Sequence, residues 1–257
     1  MAELPRNEFK RALEEGRQQI GLWSSLNSPI VADILGEAGF DWIVLDSEHA
    51  INELPETMLQ MMALRSGTGE PVIRPPWNDM VMIKRFLDAG ARTLLIPMIE
   101  SAEEARAAVA STRYPPDGVR GVATSVRASR YGLVPNYHAR AAEEICVLLQ
   151  VETRKGMDAI DEIAAVDGVD GIFIGPSDLA AALGHLGNPT HPEVQAAISH
   201  CLARCKAAGK PAGILTSQED LARGYAESGF LFVAVGSDTG LLLRNAKELA
   251  ARFRPDS

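Results

Sequence analysis

Short apolar runs rich in β-branched residues alternate with longer segments of helical periodicity eight times along this chain, and few architectures accommodate that rhythm. The strand candidates are residues 20–26 (IGLWSSL), 42–48 (WIVLDSE), 71–76 (PVIRPP), 92–99 (RTLLIPMI), 147–152 (VLLQVE), 171–176 (GIFIGP), 211–217 (PAGILTS) and 230–238 (FLFVAVGSD). Several are apolar at nearly every position, as strands buried on both faces are. Between them lie helix-like segments such as ELPETMLQMMALRS, SAEEARAAVASTR and SQEDLARGYAES, some opening on Ser or Asn followed by acidic residues that suit a helix N-terminus. Glycines in AGF, AGA, DGVDG and SGF fall just before strands, where they can end a helix.

Eight βα units in 257 residues is the size of a TIM-type (β/α)8 barrel, read as one domain over residues 1–257. A doubly wound open sheet is the alternative, but no GxGxxG follows the first strand, so nothing recommends a dinucleotide site. A helix over about residues 7–15 precedes the first strand and is expected to close the bottom of the barrel. Residues 112–139, rich in Pro, Gly, Arg and Ser, break the rhythm and are too long for an idle connection; a lid or a subunit contact is expected there.

Composition excludes several partners. The net charge is −9 without any run of Lys or Arg, which argues against nucleic acid and anionic membranes. No apolar run reaches membrane-spanning length and the first residues do not form a signal peptide, so a soluble, cytoplasmic protein is expected. Three cysteines, Cys146, Cys201 and Cys205, are too few for a disulfide framework. Cys201 and Cys205 lie one helical turn apart, but neither a CxxC nor a nearby His completes a zinc site, so core packing is the expectation.

In a barrel of this kind the chemistry sits where the strands end. The second strand ends LDSEH, which puts Asp46, Glu48 and His49 at the rim, with Asp46 and His49 counted as catalytic. The third ends IRPP, whose prolines hold Arg74 extended. In the fifth, LLQVE, alternation places Gln150 and Glu152 on one face above Leu148. The sixth turns at Gly175 and Pro176 into Ser177 and Asp178.

Glu152 and Asp178, from neighbouring strand ends without Cys or His beside them, form a hard oxygen site of the kind Mg2+ or Mn2+ occupies. The structural alternatives are pairing of Glu152 with Arg154 or Lys155, and capping by Asp178 of a helix that starts at Leu179. For Arg74 the choice lies between an ion pair with a core carboxylate and a grip on a substrate carboxylate or developing enolate. Trp23 and Leu215, near the ends of the first and seventh strands, would line one side of a substrate site or simply pack. His138, His185, His191 and His200 have no adjacent partners in sequence and read as surface or packing residues. No lysine falls inside a strand candidate, which leaves a Schiff-base mechanism without its amine, and neither a GxSxG nor a Cys–His pair suggests acyl transfer.

These rim segments resemble the HpcH/HpaI aldolase family of metal-dependent pyruvate aldolases, within the wider citrate lyase and phosphoenolpyruvate-utilising barrel group. The resemblance runs from about Asn7 to Arg252, and its most specific pieces are LDSEHA, IRPPWND, LLIPMIES, LLQVET and GPSDLAAALG. It implies reversible cleavage of 4-hydroxy-2-oxo acids to pyruvate, or a related 2-oxo acid, and an aldehyde through an enolate, with Mg2+, Mn2+ or Co2+ and no organic cofactor. By the same resemblance Glu152 and Asp178 bind the metal, Gln150 and the Gly175, Pro176 and Ser177 backbone hold the 2-oxo acid with Asp178, Arg74 stabilises the enolate, and His49 is the base, its basicity raised by Asp88. The last role conflicts with the topology within one subunit, because Asp88 lies ten residues down the helix that leaves the rim at Asn78, roughly 15 Å along its axis. Either that helix is short or Asp88 serves a neighbouring subunit. The resemblance further implies a homohexamer with an exchanged C-terminal helix. Two other functions stay open at this point: a CoA-ester lyase of the malyl or citramalyl type, disfavoured by the acidic balance and compact length, and a non-catalytic barrel that binds a small acid.

Overall fold

The computed structural model describes residues 2–254. Eight parallel strands close a barrel in sequence order: β1 (Gln19–Ser24), β2 (Trp42–Asp46), β3 (Glu70–Arg74), β4 (Thr93–Ile96), β5 (Cys146–Val151), β6 (Gly171–Ile174), β7 (Ala212–Leu215) and β8 (Phe232–Ser237). The eight-unit reading therefore holds. Most strands are shorter than the apolar runs, which carry on past the strand ends into the rim. Met98, for example, leaves β4 with φ 57°.

Side-chain alternation divides the core in two. Residues pointing outward, such as Ile43, Leu45, Ile73, Leu94 and Leu149, pack under the surrounding helices. Those pointing inward, among them Trp42, Val44, Val72, Leu95, Leu148, Phe173 and Phe232, fill the barrel itself. Two glycines make room for the largest of these: a Cβ on Gly21 would sit 2.2 Å from the Trp42 ring, and one on Gly213 would sit 2.1 Å from Phe232. The N-terminal helix Glu8–Glu14 is capped by Asn7. As expected it plugs the bottom, with the Phe9 ring 5.7 Å from Trp42 and 5.8 Å from Phe232.

With the interior filled by rings and branched chains from below, only the upper ends of the strands remain to hold water or a ligand. The C-terminal helix Asp238–Phe253 packs on β1 and β8 through its first turns and leaves Leu242, Leu243, Leu249 and Phe253 exposed. The three cysteines are free and buried, as core packing requires. Among the described residues no helix is long and apolar enough to cross a membrane.

Candidate active site

One cavity of about 400 Å3 opens at the C-terminal ends of the strands, and Trp23, His49, Arg74, Gln150, Glu152, Gly175, Pro176, Ser177, Asp178 and Leu215 all line it. Ten residues chosen for their places at strand ends thus meet in one space. Asp46 and Asp88 do not join them, for different reasons.

Asp46 ends β2 just below the cavity. Both of its oxygens accept from Arg74, Nε at 2.9 Å and Nη2 at 2.7 Å. Trp23 Nε1 donates to it at 3.3 Å, and the Glu48 backbone N–H at 3.0 Å folds the LDSEH turn back over it. Burial alone would raise this carboxyl, but the hydrogen bonds and charge of Arg74 outweigh burial and hold it below the ordinary carboxylate value. Asp46 therefore holds Arg74 from below and does not itself line the cavity, which departs from its placement among the catalytic residues at the rim. Arg74 in turn lies with its guanidinium 4.8 Å over the Trp23 ring and Nη1 2.8 Å from Glu48 Oε2. The two sequence readings of Arg74 were not exclusive: it is ion-paired to a buried carboxylate and still faces the cavity.

Glu48 was seen at the rim without a role. It sits between Arg74 and His49, whose Nε2 is 3.9 Å from its Oε2. Burial chiefly, with the charges of Asp46 and Asp178, raises its carboxyl despite Arg74 and His49. His49 itself stands at the cavity edge with most of its ring exposed.

Glu152 lies at the cavity floor, 1% exposed. Its carboxylate accepts from Gln150 Nε2 at 2.5 Å and from the Met98 backbone N–H at 2.9 Å. Burial pushes it up to about 7, with Glu48 and Asp178 adding repulsion against those two hydrogen bonds. Pairing with Arg154 or Lys155 is not observed; Lys155 bonds Glu100 instead, at 3.3 Å. A Cβ at position 175 would fall 2.4 Å from Glu152 Oε2, so Gly175 is what lets the carboxylate lie against the β6 turn. Gln150 Oε1 is buried without a hydrogen-bond partner among the described residues. The Met98 amide was missed in the sequence, since nothing in IPM announces a positive φ.

Asp178 does not cap a helix starting at Leu179. That helix runs Pro176–Ala182 after Gly175 with no side-chain cap, which makes Asp178 its third residue and leaves its carboxylate free to face the cavity.

Asp88 ends the helix Met80–Asp88 at the opposite end of the barrel, about 12 Å down the axis from its start. It accepts from Arg120 Nη2 at 2.7 Å, and that guanidinium is fully buried, 4.4 Å over Tyr114. Within one chain it does not serve His49. The segment 112–139 corrects the lid expectation for the same reason: Arg120 and Arg127 tie it to Asp88 and the Ala89 carbonyl, and it lines a cavity at the bottom of the barrel rather than the mouth. Two of the histidines set aside as unpartnered are also corrected. His185 and His191 stack with centroids 3.5 Å apart, and His185 Nε2 lies 2.8 Å from Glu193 Oε2.

The residues gathered at the mouth offer carboxylates, an amide, one guanidinium and one exposed imidazole. Among the described residues no lysine lines the cavity. Residues 19–245 match the family profile described as HpcH/HpaI aldolase/citrate lyase. The chain belongs to that family. A 4-hydroxy-2-oxo-heptane-1,7-dioate aldolase of Klebsiella pneumoniae is 54% identical over 96% of this chain and 94% of its own. A 5-keto-4-deoxy-D-glucarate aldolase of Citrobacter koseri is 55% identical over 96% of each chain. Among solved structures, an HpcH/HpaI aldolase/citrate lyase family protein of Burkholderia cenocepacia superimposes with a TM-score of 0.94 at 41% identity, covering 96% of this chain and 99% of that one. This member of the family is an aldolase, a carbon–carbon lyase whose polar groups converge at the mouth of its barrel.

Proposed function

We propose that this aldolase makes and breaks the C3–C4 bond of 4-hydroxy-2-oxo acids, giving pyruvate or a related 2-oxo acid and an aldehyde, with a divalent metal held by Glu152 and Asp178. The observation that carries the reading is the pairing at the cavity wall: a guanidinium fixed by Asp46 shares the cavity with the buried Glu152 carboxylate, which no cationic side chain among the described residues neutralises.

The donors fit a hard dication. They are oxygens without sulfur or imidazole, Glu152 is raised to about 7 for want of a compensating charge, and the buried Gln150 Oε1 points to a missing polar neighbour. A divalent ion there would supply Lewis-acid polarisation of the 2-oxo acid and the charge the carboxylates lack.

The chain's own residues then divide the remaining work. The Gly175–Ser177 turn and Gln150 orient the 2-oxo acid. His49, at the cavity edge, accepts the proton of the 4-hydroxyl as the C3–C4 bond breaks and C4 becomes a carbonyl. The electron pair left on C3 moves into the C2–C3 bond, and the negative charge collects on the C2 oxygen, where Arg74 meets it. Because Asp46 and Trp23 lock that guanidinium beforehand, no reorganisation is needed as charge develops. In the reverse direction the same groups take a proton from the methyl of pyruvate and direct the enolate to an aldehyde. Trp23 and Leu215, with Thr216 and Ser217, form the wall on the aldehyde side.

The test is loss of the pyruvate methyl proton signal by NMR in deuterated water, with metal-stripped protein given Mg2+, Mn2+ or Co2+ in turn. Exchange that needs metal and vanishes in Glu152→Ala supports the reading; no exchange with any of the three would refute it.

A further inference from the structure

Away from the mouth residues, the connection between the helix Pro176–Ala182 and the helix Pro192–Ala207 brings together three side chains that sequence spacing keeps apart. His185, His191 and Glu193 each offer one ligand atom, all within 4.8 Å of one another. Gly184 and Gly187, at φ 87° and 77°, turn the chain so that residues 185 and 191 face each other. Their rings lie nearly parallel, at 16°, and Glu193 reaches both from the first turn of the following helix, its carboxylate on His185 Nε2 and its backbone N–H on His191 Nδ1.

The geometry points to a second metal site in this chain, a two-histidine, one-carboxylate site for a borderline transition dication such as Zn2+ or Co2+. Its donor set differs in kind from the oxygen-only set at Glu152 and Asp178. Imidazole suits Zn2+ and Co2+ and gives Mg2+ no reason to bind. Nothing has to unfold for the site to form. His185 surrenders the proton it shares with Glu193, and His191 gives up its bond to the Glu193 N–H. That bond is a single N-terminal cap, a much weaker interaction than the binding of a structural zinc ion. The ring of His185 is three-quarters buried while Glu193 is half exposed, so two of the three ligands are oriented before an ion arrives and the third side remains open to water.

The position gives the site a consequence. The segment it would tie at both ends carries Pro189, which lines the mouth cavity and whose carbonyl accepts from Gln195. A bound ion therefore fixes a piece of the cavity wall from outside, while the chemistry stays with the residues above. It also means that transition ions added to this protein fill two sites where Mg2+ fills one.

The experiment uses untagged, metal-stripped protein and Co2+ as probe, read by equilibrium dialysis and by visible absorption, with and without excess Mg2+. Two Co2+ per chain are expected, of which excess Mg2+ displaces one. The Mg2+-resistant ion should be lost in His185→Phe and again in Glu193→Gln, both of which leave the mouth residues untouched. If the wild-type protein holds no Mg2+-resistant Co2+, or if that ion persists in both variants, the inference fails. Glu152→Ala separates this result from the proposed function: it should remove the Mg2+-displaceable ion and leave the other. Absence of the displaceable ion alone would count against the site at the mouth and leave the histidine site standing.

Discussion

Replacing Glu152 by Gln is expected to stabilise the metal-stripped protein, by an amount that depends on pH. The carboxyl is pushed from its ordinary 4.5 up to about 7 chiefly by burial. At about 1.4 kcal/mol for each tenfold change in proton affinity, the ionised form carries a penalty of about 3 kcal/mol in the fold. Glu152 is 1% exposed, so solvent does little to screen this. Below pH about 4.5 both folded and unfolded chains hold the proton and the penalty is absent. As pH rises toward 7 the unfolded chain releases its proton while the folded one retains it, which favours unfolding. Above 7 the folded carboxyl ionises too and the full penalty stands. Gln has no such proton, so the variant's advantage should grow from near zero at pH 4.5 to about 3 kcal/mol above pH 7. For a chain of this length that is roughly 6–12 °C in Tm, measurable by thermal melts of both proteins across the range. Mg2+ at a thousand times its Kd should reverse the order, since it adds about 4.1 kcal/mol to wild type and nothing to the variant. An advantage that is absent, or constant from pH 5 to 8, would refute the argument that burial penalises this carboxylate.

Arg74→Ala should abolish both aldol cleavage and pyruvate methyl exchange, and should cost about 3–5 kcal/mol of stability in urea melts by leaving Asp46 buried without its counter-charge. Full exchange activity in that variant would remove Arg74 from the enolate. Leu215→Ala should shift aldehyde preference, read as ratios of kcat/KM for a short and a long aldehyde, with the methyl exchange rate nearly unchanged. Gly175→Ala keeps an accessible φ of −87° but pushes on Glu152, so weakened Mg2+ binding by calorimetry is expected with the fold intact. If Asp88 serves His49 of another chain, mixing inactive His49→Ala and Asp88→Ala proteins under conditions of subunit exchange should restore activity; continued inactivity after verified exchange would exclude that role.

The barrel was legible because its signal is repeated. Eight apolar runs with intervening amphipathic segments leave little choice, and a misjudged boundary, as at 230–238 against Phe232–Ser237, does not alter the count. The mouth was legible for a related reason: parity along LLQVE places Gln150 and Glu152 inward however the barrel is drawn. What was lost lay in connections. The helix after β6 is read as starting at Leu179, with capping as the structural alternative for Asp178, but it begins at Pro176, because Pro at a first helical position is as good a start as an acidic cap. The segment 112–139 reads as a lid or a subunit contact; the lid is excluded because its arginines find Asp88 and Ala89 at the barrel's other end, a destination that no local pattern encodes. His185 and His191 were dismissed for lack of neighbours in sequence, and two left-handed glycines between helices supply those neighbours in space.

The charge balance at the mouth ties these residues into a single argument. Glu152 and Asp178 line the same cavity as the Arg74 guanidinium, which is already committed to Asp46 and Glu48. Asp46 can stay ionised because it holds two bonds from that guanidinium; Glu48 and Glu152, with less, are both raised. A 2-oxo acid is itself an anion, so without a further cation it would enter a pocket that repels it. That repulsion supports the proposed dication at Glu152 and Asp178, and with those acids compensated the Arg74 guanidinium would still present its cavity face to the substrate. On the proposed reading, the buried Glu152 carboxylate that weakens the fold when ionised is also what would give the mouth its affinity for a metal and, through it, for the substrate.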